Sequence, residues 1–520
     1  MFLTRKEGHT AGILFALFCL LNAYQLTNFN VSIDDEFLYQ SSVCHFADLG
    51  RWMHPLLGVT LWPQPITPTA RLLIFGVLFA VSFIYVLRLF RIERISGFTL
   101  VVFSAYATYP VWLAQLAFSA NVLPVGIGVF CATWAALRTA TAGDAGWRSR
   151  TFWLRGVLPA ALACAVAQGA YQSLGLMYLV IVLAAGLAMQ QRAETISLGR
   201  LMVIAVVTLV IGMAISSVVG RLVMIGCGVG FSAYGQQFFR LETWLHNPWR
   251  PIQAVYKDWG AMYYRDWRHI GMAGVTFCAA VLISLFVCVR FSPSGQRVKR
   301  AFWLLALTFL PALLALVSGD RLPLRTFLAA ATVLCCLFFL AHSVCLSLTL
   351  YRRVVAALAI LTVVQGLYVN SVAQARGWAV ARHDQALAAA IYAELVRQNG
   401  GGGAAQHPIK VNFSGMRAFG AEVADGCAFL KRYYPTAPST TTGASFFAWD
   451  GGHIGRIVSY MNLLGYTDLQ IFIPQPLEAA HAAYTAMPSW PAPGSVARFG
   501  EGFIIKLSPP MNNPFAMCGG

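Results

Sequence analysis

The feature that most constrains this chain is the recurrence of long apolar runs that carry almost no charge. A helix rises 1.5 Å per residue and the hydrocarbon core of a bilayer is about 30 Å thick, so a crossing needs about 20 mostly apolar residues. Runs of this kind predict helices near residues 11–29, 70–90, 97–116, 121–138, 154–170, 172–189, 201–222, 270–289, 301–317, 325–346 and 354–371. The stretch 154–189 also admits one bent span plus a re-entrant piece. Of the 520 residues, 58% are hydrophobic and only 11% charged, against about 25% charged in a soluble domain. Lipid is therefore the main solvent, and the fold class is mainly α, a polytopic transmembrane helix bundle of about eleven helices.

A formal net charge of +17 raises nucleic acid as a partner. The Lys and Arg residues flank apolar runs instead of forming one basic face, so the expected partner is the bilayer and not nucleic acid. Arg5 and Lys6 precede the first run, which has no small-x-small cleavage site and reads as a retained helix with a cytoplasmic N-terminus. Arg88, Arg91, Arg94, Arg290, Arg297, Lys299, Arg300, Arg352 and Arg353 then fall in inward segments. An odd number of spans puts the C-terminal region outside.

The expected division is a membrane domain over 1–371, with outward loops at about 29–69 and 226–269, and a small α/β extracytoplasmic domain over 372–520. The Trp and Tyr residues between Tyr256 and Trp267 fit an interfacial helix. In the tail, residues 384–398 and 453–464 have helical patterns, and residues 409–413, 445–449, 469–473 and 502–507 read as strands. No tandem repeat is evident, which tells against the duplicated halves common in transporters.

Eight of the twelve cysteines lie inside apolar helices, and only Cys44, Cys227, Cys427 and Cys518 are placed for oxidation. A disulfide between Cys427 and Cys518 is an expectation for an oxidising compartment. No C-x-x-C pair or His/Cys cluster has metal spacing, so no zinc site is expected, and a divalent metal requirement stays open.

Ionisable residues are nearly absent from the predicted helix centres, which weakens an ion-coupled transport reading. His342 lies near a helix end and reads as a packing residue. The acids collect in the first outward loop, at Asp34, Asp35, Glu36 and Asp48. A solvated loop is the plain alternative. Three consecutive carboxylates repel one another, however, which suits one of them to general-base work. Arg51, Trp52 and His54 follow, a guanidinium that can fork onto phosphate or serve a topological or interfacial role, beside an aromatic ring that can stack on a sugar or lie in the interface. Arg321 and Arg325 form a second outward basic site, for which an ordinary loop ion pair with Asp320 is the alternative. Tyr171 and Gln172 sit at an outward turn, where they anchor the interface or bind a sugar.

Ser32-Ile33-Asp34-Asp35-Glu36, followed by Gly50-Arg51-Trp52 and an apolar helix, resembles the bacterial GtrII-type glucosyltransferase family. Ala170-Tyr171-Gln172-Ser173, Asn370, Asp384 and the segment from Phe446 to Arg456 are similar to later parts of that family. The resemblance implies a GT-C-like membrane transferase of the bacterial inner membrane. Its donor is a polyprenyl-phosphate-linked sugar, usually glucose, and its acceptor is a surface glycan such as lipopolysaccharide O-antigen on the periplasmic side. It also implies a flippase and a donor-synthesising enzyme as partners. Carried over by residue, Asp34 and Asp35 are the acidic site and Arg51 the basic one, while Glu36 leaves open which carboxylate acts.

The chemistry agrees with the residues. A lipid phosphate leaves readily, so transfer needs arginine to stabilise charge and a carboxylate to take the acceptor's proton. Inversion at the anomeric carbon is the simplest outcome. A transporter or flippase of lipid-linked sugars and a noncatalytic envelope-assembly component are the rival readings. The first calls for a polar cavity through the membrane, and the second needs no carboxylate cluster.

Overall fold

The structure is a computed structural model that describes residues 3–28, 31–33, 35–36, 44, 46–60, 68–142, 149–192, 197–231, 242–265, 275–319, 322, 324–345, 348–400, 408–417 and 445–508. Asp34, Arg321 and the expected pair Cys427–Cys518 lie outside the described residues. Of the described residues 76% are helical, with a small C-terminal sheet, in line with the mainly α class. The chain forms two compact units. One comprises residues 1–29, 43–268 and 272–371, and the other residues 30–42, 269–271 and 372–520. The second unit thus includes part of the stretch that the sequence reading placed in the first outward loop.

Among the described residues, seven helices of the chain are long and apolar enough to cross a membrane: Thr69–Leu89, Ser119–Ala142, Phe152–Ala170, Leu174–Gln191, Leu198–Gly226, Arg297–Ser318 and Thr349–Gln398. The last supplies residues to both units. A bent pair raises the count to eight. This is fewer than the eleven expected. The runs near 11–29, 270–289 and 325–346 form helices of 17, 16 and 17 residues, Arg5–Leu21, Val275–Arg290 and Leu328–Val344, short of that length. The ambiguous stretch 154–189 resolves into two separate helices.

Leu198–Gly226 is the most apolar of the seven, yet only 17% of its most apolar stretch is buried. In water such a face would be an association site, whereas in a bilayer it is simply the lipid side. The interior is aromatic. Phe79 stacks on Tyr106 at 4.7 Å and meets Trp112 edge-on at 5.0 Å, and Phe18 and Phe75 complete the cluster. Such pairs contribute about 0.5–1.5 kcal/mol each beyond their buried area.

The expected span 97–116 is broken into Gly97–Ala107 and Pro110–Leu116, bent by 52°. Pro110 has no N–H to donate and disfavours helical backbone at the preceding residue, and Tyr109 is indeed extended. The carbonyl freed at Thr108 accepts from Asn370 Nδ2 at 3.0 Å. One turn away, a Cβ on Gly366 would come within 2.8 Å of the same carbonyl. Gly366 and Asn370 together form the seat of the break.

Trp249–Gly260 exposes Trp249, Ile252 and Tyr256 on one face and buries Pro251, Ala254 and Asp258 on the other. This helix is therefore amphipathic.

The second unit holds strands β1 (Ile409–Ser414), β2 (Leu469–Ile471), β3 (Val496–Phe499) and β4 (Gly502–Lys506) in the order β2-β1-β4-β3. β1 is parallel to β2 and β4, and β3 is antiparallel to β4. The sheet packs with residues 387–395 and helix Ile454–Leu463 around Ile391, Val411, Phe447, Ile457 and Ile505. The strand expected over 445–449 does not form. Phe446 and Phe447 are both buried, so the two-residue alternation of a strand is missing, and the segment turns into a short 3-10 helix at Trp449–Gly451.

Candidate functional site

Within the first unit, five of the residues singled out from sequence gather around one turn. Arg51 lies over the ring of Tyr171 at 4.7 Å and that of Phe46 at 5.8 Å. His54 meets Phe46 with ring centroids 4.8 Å apart. Gln172 Nε2 donates to Leu49 O at 2.8 Å, tying the turn to the start of Leu174–Gln191. A disulfide, Cys44–Cys227, fastens the same segment to the end of Leu198–Gly226. Two of the four cysteines placed for oxidation are therefore bonded to each other.

Trp52 is packed into the bundle. It is 6% exposed and donates from Nε1 to Ser216 Oγ at 2.9 Å. A Cβ on Gly169 would lie 2.0 Å from the indole, so the ring occupies the space that only glycine leaves. These contacts make Trp52 a packing residue that docks the first loop onto the bundle. Tyr171, 2% exposed, likewise offers little surface.

A second cationic place in this unit surrounds the start of Ser119–Ala142. Arg71, 5% exposed, donates from Nη1 to Ser119 O at 3.2 Å. Arg325 lies over the Phe118 ring at 4.7 Å. Along the same short stretch Gln115 is fully buried, and neither its amide oxygen nor its nitrogen has a hydrogen-bond partner among the described residues. Ser119 Oγ and Asn121 Oδ1 are in the same condition. Buried amides are nearly always satisfied, and each orphan costs about 1–3 kcal/mol. Sequence reasoning picked out Arg325 and missed Arg71, Gln115 and Asn121. The available signal was a polar residue at the edge of each apolar run.

Within the second unit, the acidic segment is anchored by Ile33, which belongs to the apolar core. Asp35 and Glu36 are both fully buried, although the sequence reading places them in the first outward loop. Asp35 Oδ2 accepts from Ser32 N at 3.1 Å. Glu36 Oε1 accepts from Arg456 Nη1 at 2.5 Å, and Arg456 Nε donates to Asp450 at 2.6 Å. Asp450 has a φ of 51°, a left-handed conformation that aspartate tolerates better than most residues. Asp384 accepts from Ser445 Oγ at 2.8 Å and Phe446 N at 2.7 Å, with His383 Nδ1 at 3.1 Å. Segments far apart in sequence, 32–36, 383–384 and 445–456, thus converge in one unit. Among the described residues no group of three His, Cys, Asp or Glu side chains is arranged to hold a metal.

A family model described as glucosyl transferase GtrII matches residues 23–342, more than half of the chain. The chain belongs to this family. No curated protein and no solved structure matches it.

Proposed function

We propose that this glucosyltransferase-family membrane protein moves glucose from a polyprenyl phosphate carrier to a surface glycan such as lipopolysaccharide O-antigen, on the periplasmic side of a bacterial inner membrane. The observation that carries the reading is the cationic, hydrogen-bonding place built into an apolar bundle, Arg71 and Arg325 around residues 115–121. A lipid-borne phosphate is the ligand that would meet both demands, negative charge for the guanidinium groups and acceptor oxygens for the amides. Arg51 is a further cation of the same unit. The disulfide supports an oxidising compartment at the end of the bundle that holds it.

In the proposed reaction the acceptor hydroxyl oxygen bonds to the anomeric carbon and the bond to the phosphate oxygen breaks. Its electron pair stays on the phosphate, where arginine stabilises it, and the hydroxyl proton passes to a carboxylate. Inversion follows from a single displacement. A GT-C-like arrangement of eleven spans requires the three shorter helices to cross as well. The test is deletion of the gene in its host followed by mass spectrometry of the surface polysaccharide. Loss of one hexose per repeat with unchanged chain length is expected. An unchanged glycan would overturn the proposal.

A further inference from the structure

We infer that Asp384 is a positioning residue for the acidic segment that carries Asp35 and Glu36, acting through residues 445–456 of the same unit. A carboxylate that is 1% exposed inside a helix persists only if its oxygens are satisfied. Here they are: Oδ1 accepts from Ser445 Oγ at 2.8 Å and lies 3.1 Å from His383 Nδ1, while Oδ2 accepts from Phe446 N at 2.7 Å. Just along the helix, Leu387, Ala388, Ile391 and Leu395 belong to the apolar core. Asp384 is thus the fixed point, and the chain at 445–446 is what it holds.

The rest of that stretch is fastened by backbone contacts. Arg417 N donates to Phe447 O at 2.8 Å. A Cβ on Gly452, whose φ of 79° suits glycine, would lie 2.2 Å from Gly415 O, so the two backbones touch directly. With the stretch held in this way, Arg456 Nε donates to Asp450 Oδ2 at 2.6 Å, and Arg456 Nη1 reaches Glu36 Oε1. An arginine side chain is long and rich in rotamers, so its aim depends on where the backbone places it and on Asp450. The order of dependence runs from Asp384 to residues 445–456, then to Arg456 and Glu36. The consequence for catalysis rests on the proposed reaction, in which a carboxylate takes the acceptor's proton and a misplacement of about 1 Å can cost about 10²-fold.

The test uses the full chain in nanodiscs, read by hydrogen exchange and by transfer from polyprenyl-phosphate glucose. Asp384→Ala should speed exchange in peptides covering residues 30–36 about tenfold, the loss of a typical hydrogen bond, and leave β1 and β4 as protected as in the wild type. Its kcat should fall about tenfold or more at an unchanged KM for the donor. Asp384→Asn should restore most of both, because its Oδ1 accepts from Phe446 N while its Nδ2 donates to Ser445 Oγ. Ser445→Ala should fall between the two, and it decides the matter if Asp384→Ala does not fold. Wild-type exchange over residues 30–36 in folded Asp384→Ala, or in Ser445→Ala, would overturn the inference whatever the activity. So would equal loosening of β1 and β4, which would make Asp384 a general support of the core. A loosened segment with undiminished transfer would support the placement and overturn instead the part given to this segment in the reaction.

Discussion

Arg456 Nη1 donates to Glu36 Oε1 at 2.5 Å, joining residues 420 positions apart in the chain. The Glu36 side chain is fully buried and that of Arg456 is 13% exposed. The pair therefore holds the acidic segment through Glu36, as the Ser32 N–H holds it through Asp35.

Arg456→Met is expected to destabilise the second unit by about 3–5 kcal/mol, because it removes one partner of a buried ion pair. Glu36→Gln should cost less, since an amide still accepts a hydrogen bond. The double variant should cost less than the sum of the singles. Denaturant unfolding of the four proteins measures this, and strict additivity would show that the two side chains do not act as a pair.

Gly169→Ala tests the seat of Trp52. A methyl group 2.0 Å from the indole must displace the ring and its bond to Ser216. Overpacking of this kind costs about 1–3 kcal/mol. Trp52→Phe should be milder alone and should partly rescue Gly169→Ala, because the smaller ring makes room. Melting temperatures of the singles and the double give the answer. An unshifted Gly169→Ala would remove the packing role assigned to Trp52.

The membrane character of the chain was legible because a span announces itself through length and apolarity alone. The break at Tyr109 was written in Pro110, but an apolar run of twenty residues masks a proline at its middle. The burial of the acidic segment is not legible in the sequence because the partner of Glu36 lies in the tail, and pairing across such a distance leaves no periodic trace. Ile33 was the local clue, one apolar residue among acids that turned out to be buried in the core. Ser445–Trp449 reads as a strand by composition, yet Ser445 and Phe446 donate to Asp384, which fixes the segment as a turn. Gln115 and Asn121 sit at the edges of their apolar runs, where a neutral amide carries no charge to mark it.

Glu7 joins the start of the chain to the end of Pro68–Leu89. Its carboxylate accepts from the N-cap Thr4 N at 2.7 Å, from Arg88 Nε at 2.6 Å and from Arg88 Nη2 at 2.8 Å. The Arg88 hydrogen bonds, outweighing burial, lower its pKa from 4.5 to about 2. A carboxylate with a depressed folded pKa contributes stability that is complete above about pH 4.5 and is lost as the pH falls toward 2. Glu7→Gln should therefore cost about 1–3 kcal/mol at neutral pH, allowing for solvent screening at this partly exposed pair. The difference from wild type should close as the pH drops through that window. A gap that stays constant down to the lowest pH would assign the effect to the helix cap instead.

Arg71 and Arg325 are expected to act on the donor. Arg71→Gln should raise KM for polyprenyl-phosphate glucose about tenfold or more, equivalent to the roughly 1.5–3 kcal/mol of a charge-assisted hydrogen bond. Arg71→Lys should recover only part, because a point charge replaces a planar fork. The KM for the acceptor glycan should not move. A change confined to the acceptor would assign this place to the glycan rather than to the lipid phosphate.

The carboxylates carry the last expectation. Asp34→Asn or Asp35→Asn, or both, should lower transfer by about 10² to 10⁴-fold, the usual loss when a positioned base is removed. Asn at position 35 keeps an oxygen to accept from Ser32 N, so the local turn persists and the loss is chemical. Glu36→Gln should reduce activity less and should track the stability of the Arg456 pair. The assay is transfer in membranes supplied with polyprenyl-phosphate glucose and the host glycan, at matched protein levels. Near-normal turnover with Asp34, Asp35 and Glu36 all made amides would show that the proton leaves the acceptor hydroxyl by another route.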